Sequence, residues 1–431
     1  MNNNSMKAFF SMLTVVFSQM ILGQVKVNEK RIEQHVMELA KFGKDSLGRG
    51  YRVAYSAGDL QGRAYYMGLM KAAGLDVSID YAGNIIGKKK GKDSSKRPIA
   101  FGSHIDMVPD GGNYDGVVGS MGALEVIETL NDNNIITNHP LELIIFTNEE
   151  GGVIGSMAMA GQLKKEGLLN VTASGLTIRE GIKKIGGDPD RIVEAAKKQG
   201  DFKAYLELHI EQGGFLEEDK LQIGVVEGIV GIEDWDVTIE GFANHAGTTP
   251  MNRRQDALLA AAKFVIAVNE AVNSFPGRQV GTVGKINAYP GAFNVIPGKV
   301  TTSLEVRDLS QQKIALVFSE IERRADSIAK ASNVKIGFRS LNIQVRPALM
   351  DKGLQSKISV SAKMLGYSQK SMPSGAGHDA QEMAHIAPVG MIFIPSVGGI
   401  SHSPKEFSRP VDMANGANVL LQTILMIDKE D

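Results

Sequence analysis

Several short segments of this chain place histidines and carboxylates at spacings that metal-assisted hydrolysis can use. In Gly102-Ser103-His104-Ile105-Asp106 an aspartate follows a histidine by two positions, and Asp115 comes soon after in the turn Asn113-Tyr114-Asp115-Gly116. Residues two apart on an extended chain point the same way. Asp106 can therefore accept the second ring N–H of His104 and orient it, the usual support of a ligating imidazole. Thr147-Asn148-Glu149-Glu150-Gly151-Gly152 sets two carboxylates side by side. They repel unless a cation lies beside them, and facing opposite ways one can bind metal while the other shuttles protons. Leu208-His209-Ile210-Glu211 and Ser401-His402-Ser403-Pro404 add two more histidines. Each segment has a bland alternative: a helix-capping His–Asp pair, an exposed Glu-Glu loop, a strand-end histidine bound only to its neighbours. Together they supply donors for two metals sharing a carboxylate. Cys is absent, so disulfides and thiolate sites are excluded and any metal is held by His and carboxylate.

The elements that must position these groups read as α/β. Four continuous apolar runs, Pro98 to Ser103, Leu141 to Thr147, Ala204 to Leu208 and Val389 to Pro395, have the pattern of strands buried on both faces. Each leads into one of the segments above, as expected where open α/β sheets place sites at the carboxyl ends of central strands. Between the third and fourth runs the rhythm changes. Strand Trp235 to Gly241, helix Gln255 to Ser274, strands Gln279 to Ala288 and Lys299 to Arg307, helix Gln311 to Ala331 and strand Val334 to Ile343 give a βαββαβ order. This predicts an inserted ferredoxin-like domain. The expected organisation is residues 1–23 as a signal peptide, 24–228 and 346–431 as a discontinuous catalytic domain with a mostly parallel sheet, and 229–345 as a lid. The leader rests on Lys7 followed by the apolar run Ala8 to Leu22, with Gly23 for cleavage, and implies a periplasmic or secreted protein with no stable membrane partner once cleaved. A net charge of -1 gives no reason to expect nucleic acid.

In chain order GSHIDMV, NYDG, TNEEGG, LHIEQG, FANHAGTTPM, FNVIPG, EVRD, SGAGHDA and SHSP resemble the hydantoinase/carbamoylase branch of the dinuclear zinc metallopeptidase-like hydrolases. The resemblance runs from about Glu29 to the C-terminus. It implies a catalytic α/β domain interrupted by a ferredoxin-like lid that dimerises. It further implies two divalent ions per subunit, Zn2+ first with Mn2+ or Co2+ as alternatives. His104 and His209 would hold one, Glu150 and His402 the other, and Asp115 would bridge them, with Glu149 as general base. His245, Asn294 and Arg307 would reach substrate, with Gln212, Gly375 and Ala376 as weaker contacts. Their ordinary readings are a loop cap for His245, a turn for Asn294 and a surface pair with Asp308 for Arg307. His378 and Asp379 are expected to cap the following helix. The implied reaction is cleavage of an amide or ureido C–N bond in a small carboxylate such as an N-carbamoyl-L-amino acid or allantoate, a water between the two ions being acidic enough to yield hydroxide near neutral pH. A dipeptidase or N-acyl-amino-acid hydrolase would use the same groups on another acyl unit. A non-catalytic binding ectodomain on this fold would have lost ligands or base.

Overall fold

The computed structural model describes residues 25–430; the leader expected over residues 1–23 lies outside them. The chain divides into two compact units, one built from the chain up to Glu227 and again from Met350, the other from Gly228–Leu349.

The first unit begins with helices α1 (Glu29–Leu39) and α2 (Ala57–Ala72). Next come strands β1 (Asp76–Ile79), β2 (Ile85–Lys89) and β3 (Ile99–His104), helix α3 (Val117–Asp132) and strand β4 (Leu141–Phe146). Helix α4 (Ile154–Met159) and strands β5 (Ala204–Ile210) and β6 (Ile223–Ile229) lead to the second unit. That unit contains β7 (Gly231–Glu240), β8 (Asn244–His245), α5 (Ala257–Asn273), β9 (Val280–Thr282), β10 (Ile286–Tyr289), β11 (Val295–Ile296), β12 (Lys299–Asp308), α6 (Gln311–Ser332) and β13 (Lys335–Val345). The chain returns through α7 (Lys352–Met364), β14 (Gln369–Ser374), α8 (Asp379–Met383), β15 (Val389–Ile394) and α9 (Pro410–Ile427).

The sheet of the first unit runs β1-β2-β4-β3-β5-β15-β6. Its four central strands β4, β3, β5 and β15 are parallel, and every residue in them is buried. Strands covered by helices on both faces need continuous apolar side chains, which is why these runs stand out in the sequence. Toward both edges the pairing turns antiparallel. Helices α3 and α9 pack on the sheet through Met121, Leu124, Leu420 and Ile424. At Gly119 the approach is so close that a Cβ would stand 1.9 Å from the Leu208 carbonyl oxygen. Because the central strands run the same way, His104, Glu149, Glu150, His209 and the loop to His402 all leave the sheet at its carboxyl edge.

The second unit is an antiparallel sheet ordered β10-β12-β7-β13, with β9 also on β12. Helices α5 and α6 cover it, Phe264, Ile314, Val317 and Ile321 meeting Val237, Ile239, Val300 and Leu304. Trp235 stacks on Phe318 with ring centroids 4.1 Å apart. The single strand expected over Gln279 to Ala288 is two strands. Thr282 pairs with Glu305 and Ile286 with Thr302, so four steps on one side oppose three on the other, and the extra residue forms a bulge. A separate two-stranded ladder pairs His245 with Val295 and Asn244 with Ile296.

Candidate active site

At the carboxyl edge of the parallel strands, Asp115 stands between two sets of donors. Its Oδ1 lies 3.2 Å from His209 Nε2 and 3.6 Å from His104 Nε2. Its Oδ2 lies 3.2 Å from His402 Nε2, which is 3.5 Å from Glu150 Oε2. Two groups of three ligand-type residues thus converge, His104-Asp115-His209 and Asp115-Glu150-His402, with Asp115 common to both. In a third convergence, Glu207-His209-His378, the carboxylate is engaged by other groups. The Glu207 carboxylate is already taken by Ser103 Oγ, Tyr205 Oη and the Ala380 N–H.

The ring tautomers suit ligation. His209 Nδ1 is 2.9 Å from the Ile210 carbonyl and His104 Nδ1 is 3.2 Å from the Asp106 carbonyl. Each Nδ1–H therefore donates to backbone, which leaves Nε2 as the ligand atom on the Asp115 side, and His209 Nε2 accepts the Gly116 N–H at 3.2 Å. His104 Nε2 is buried and has no hydrogen-bond partner among the described residues. Gly116 makes room for it: a Cβ there would stand 2.3 Å from His104 Nε2, and its φ of +63° favours glycine. The Asp106 carboxylate, expected to orient His104, is 3.6 Å from Nδ1 and instead accepts the N–H groups of Glu149 and Glu150 at 3.3 and 3.2 Å. Asp106 thus positions the two glutamates, and its carbonyl orients His104.

The electrostatics call for positive charge at the same place. Burial opposes charge on His104, yet Glu149, Asp106 and Asp115 outweigh it and hold its pKa well above the ordinary value. Burial likewise works against the Asp115 carboxylate, but His104, His209 and His402 keep its pKa well below the usual range. Burial drives Glu149 well up and, with Asp115 beside it, Glu150 to about 7. The hydrogen bond with Asp115 lifts His402 to about 9. An unpartnered buried Nε2, two converging donor sets and crowded carboxylates are what divalent ions would satisfy. The residues present fit them.

Other expected residues take varied places. Gln212 sits at a φ of +58° and donates from Nε2 to Asp115 Oδ2 at 2.6 Å. Gly375 and Ala376 form the turn after β14, where Ser374 Oγ accepts the Ala376 N–H. His245, Asn294 and Arg307 belong to the second unit. There His245 and Asn294 are neighbours, the Ala246 N–H donating to the Asn294 carbonyl. Arg307 forms a two-pronged ion pair with Glu305, at 2.8 and 2.9 Å, while Asp308 faces Lys313 at 3.5 Å. His378 takes the position before α8, but its side chain makes no capping bond. It lies edge-on to His209, and Asp379 accepts a hydrogen bond from Ser156 Oγ. Sequence reasoning missed Glu406. Its Oε1 accepts the N–H groups of Tyr114 and Asp115, both at 2.9 Å, and its Oε2 accepts the Ser401 hydroxyl at 2.8 Å. This carboxylate ties the Asp115 turn to the His402 loop.

The pattern of Peptidase family M20/M25/M40 matches residues 100–426. The chain belongs to that family. The M20 family is metal-dependent, in keeping with the donor sets above. An N-carbamoyl-L-amino acid amidohydrolase of Geobacillus stearothermophilus is 42% identical over 403 residues, covering 92% of this chain and 98% of the relative. A ureidoglycolate hydrolase of Arabidopsis thaliana is 38% identical over 416 residues, covering 94% and 87%. Among solved structures, an amidase of the hydantoinase/carbamoylase family from Burkholderia multivorans superposes with a TM-score of 0.88 at 36% identity, covering 94% of this chain and 99% of the other. The relatives also correct one expectation. They are generally cytoplasmic enzymes, which overturns the periplasmic or secreted location read from residues 1–23. That reading rested on the layout of Lys7, the apolar run Ala8 to Leu22 and Gly23 as a cleavage residue.

Proposed function

We propose that this M20-family chain is a metal-dependent amidohydrolase that cleaves the C–N bond of a carbamoyl- or ureido-type carboxylate, an N-carbamoyl-L-amino acid or allantoate. It acts on C–N bonds other than peptide bonds, as its named relatives do. The observation that carries the reading is the two-sided Asp115 carboxylate between His104 with His209 and Glu150 with His402. We assign these five as ligands of two divalent ions, zinc first. When bound, the ions supply Lewis acidity to a water and to a carbonyl oxygen.

The remaining steps belong to side chains. Glu149 lies 3.7 Å from His104 Nε2, its side chain 10% exposed and crowded by Asp379, Glu150 and Asp115. We assign it to take the proton of the attacking water and return it to the leaving nitrogen. His245 meets the oxyanion. Arg307 and Asn294 hold the substrate carboxylate, Arg307 by exchanging Glu305 for that ligand, and Gln212, Gly375 and Ala376 line the same substrate. If ammonia leaves first, the remaining carbamate breaks down to carbon dioxide and amine.

We read the second unit as a ferredoxin-like lid through which the protein dimerises, supported by its element order and its sheet edge at β13. Mixing His245→Ala with Glu149→Gln subunits should restore activity if sites are shared between subunits. The function itself is tested by a panel of N-carbamoyl amino acids, allantoate, N-acyl amino acids and dipeptides after loading with zinc, manganese or cobalt. Ureido substrates should dominate; preference for dipeptides would refute the assignment.

A further inference from the structure

The loop from Asn244 to Arg254 in the second unit determines which nitrogen of His245 carries the proton. The backbone N–H of Gly247 donates to His245 Nδ1 at 3.0 Å, and that of Thr248 at 3.2 Å. A nitrogen that receives two N–H donors has no room for a hydrogen of its own. A neutral imidazole keeps one protonated nitrogen, so the hydrogen must sit on Nε2. The backbone of His245 is held as firmly. Its N–H donates to Asn244 Oδ1 at 2.8 Å, and its carbonyl accepts the Thr249 hydroxyl at 2.7 Å. The β8–β11 ladder fixes the strand on the other side.

Arg254 closes the loop. Its Nε donates to the Thr249 carbonyl at 3.1 Å and its Nη2 to the Ala246 carbonyl at 2.5 Å. These carbonyls flank Gly247 and Thr248, the two residues whose N–H groups engage Nδ1. A planar guanidinium can span both carbonyls at once, whereas a lysine ammonium offers only a point charge.

We propose that this loop presets His245 as an Nε2–H hydrogen-bond donor and that Arg254 is the positioning residue that keeps the loop in that shape. The inference rests on the reading of His245 as the group that meets the oxyanion, and extends it. It divides the work: Glu149 exchanges protons, and His245 donates a hydrogen bond without giving its proton away. A donor aimed before reaction needs no reorganisation as charge develops. It also reconciles the two sequence readings of His245, since one ring nitrogen caps the loop and the other is left for substrate.

The test uses full-length, metal-free protein labelled with 15N-histidine, and a long-range 1H–15N spectrum recorded above neutral pH. Signals of His245 are identified by their loss in His245→Gln. The expected result is a protonated, pyrrole-type Nε2 and an unprotonated, pyridine-type Nδ1. In Arg254→Ala the tautomers should exchange and the two nitrogen shifts move toward each other, with Arg254→Lys giving only partial recovery. In metal-loaded Arg254→Ala, kcat should fall by up to about 100-fold, the scale of an ångström-sized misplacement, with metal content unchanged. A wild-type spectrum with the proton on Nδ1 overturns the proposal even if no Arg254 variant folds. So does an Arg254→Ala protein with unaltered ring shifts and kcat. A His245→Gln enzyme as fast as wild type would refute the oxyanion role instead, and the spectrum would still decide the tautomer.

Discussion

Replacing Glu406 by alanine should loosen the two loops that carry Asp115 and His402, and the structure sets the size of the loss. The side chain is 4% exposed. Its Oε1 is the acceptor for two buried backbone N–H groups, those of Tyr114 and Asp115. Alanine leaves both without that acceptor, at about 1–3 kcal/mol each and about 2–6 kcal/mol together. The carboxylate carries a cost of its own, since burial and the nearby Asp115 charge push its pKa up. The lower part of the range, about 2–4 kcal/mol, is therefore expected. Against a typical stability of about 5–15 kcal/mol that is a large share. Glu406→Gln keeps an oxygen for both N–H groups and an amide for Ser401, so it should lose only about 1 kcal/mol. Urea unfolding of metal-free protein reads the stability. Elemental analysis after dialysis against graded chelator reads the metal. Glu406→Ala should lower the midpoint at unchanged slope and release metal at lower chelator than wild type, with Glu406→Gln close to wild type. An alanine variant with wild-type midpoint and wild-type metal retention would show the tie to be dispensable and the reasoning wrong.

Glu149→Gln should keep metal and substrate affinity but slow turnover by about 10²–10⁴-fold, whereas Glu150→Gln should lose metal; the reverse pattern in kinetics and metal content would exchange their roles. Gly116→Ala should prevent ligation by His104, because its Cβ would stand 2.3 Å from Nε2, and metal titration would show the weaker site at once. Arg307→Lys should raise KM with metal still bound, at a cost on the order of 1.5–3 kcal/mol for a lost charged two-pronged contact. An ester cap on the substrate carboxylate should then harm wild type far more than the variant, and equal turnover of capped and free substrate by wild type would make Arg307 structural.

The four central strands were legible because burial on both faces demands continuous apolar runs, and β3, β4, β5 and β15 are such runs. The edge strands were not: β1 alternates between exposed and half-buried positions over four residues, too short a pattern to separate from a loop. The break between β9 and β10 escaped notice because a bulge depends on the partner strand. The ligand-type residues stood out by adjacency within short motifs. Their supports did not. Glu406 works on residues nearly three hundred positions earlier, and no local spacing reports that. Asp106 was read as the partner of His104, yet its carboxylate reaches the backbone of the next strand end, Glu149 and Glu150, a contact set by sheet order rather than by sequence spacing. His378 looked like a cap because it precedes a helix, but the packing of its ring on His209 required the tertiary fold.

The central claim is tested most directly by ammonia and amine release from an N-carbamoyl-L-amino acid, measured on one preparation as loaded with zinc, stripped by chelator, and reloaded, beside Glu149→Gln taken through the same cycle. Turnover should vanish on stripping and return on reloading, at about two equivalents of metal per chain, while Glu149→Gln regains the metal without the rate. Undiminished hydrolysis by the stripped protein, or full activity of metal-loaded Glu149→Gln, would contradict the account.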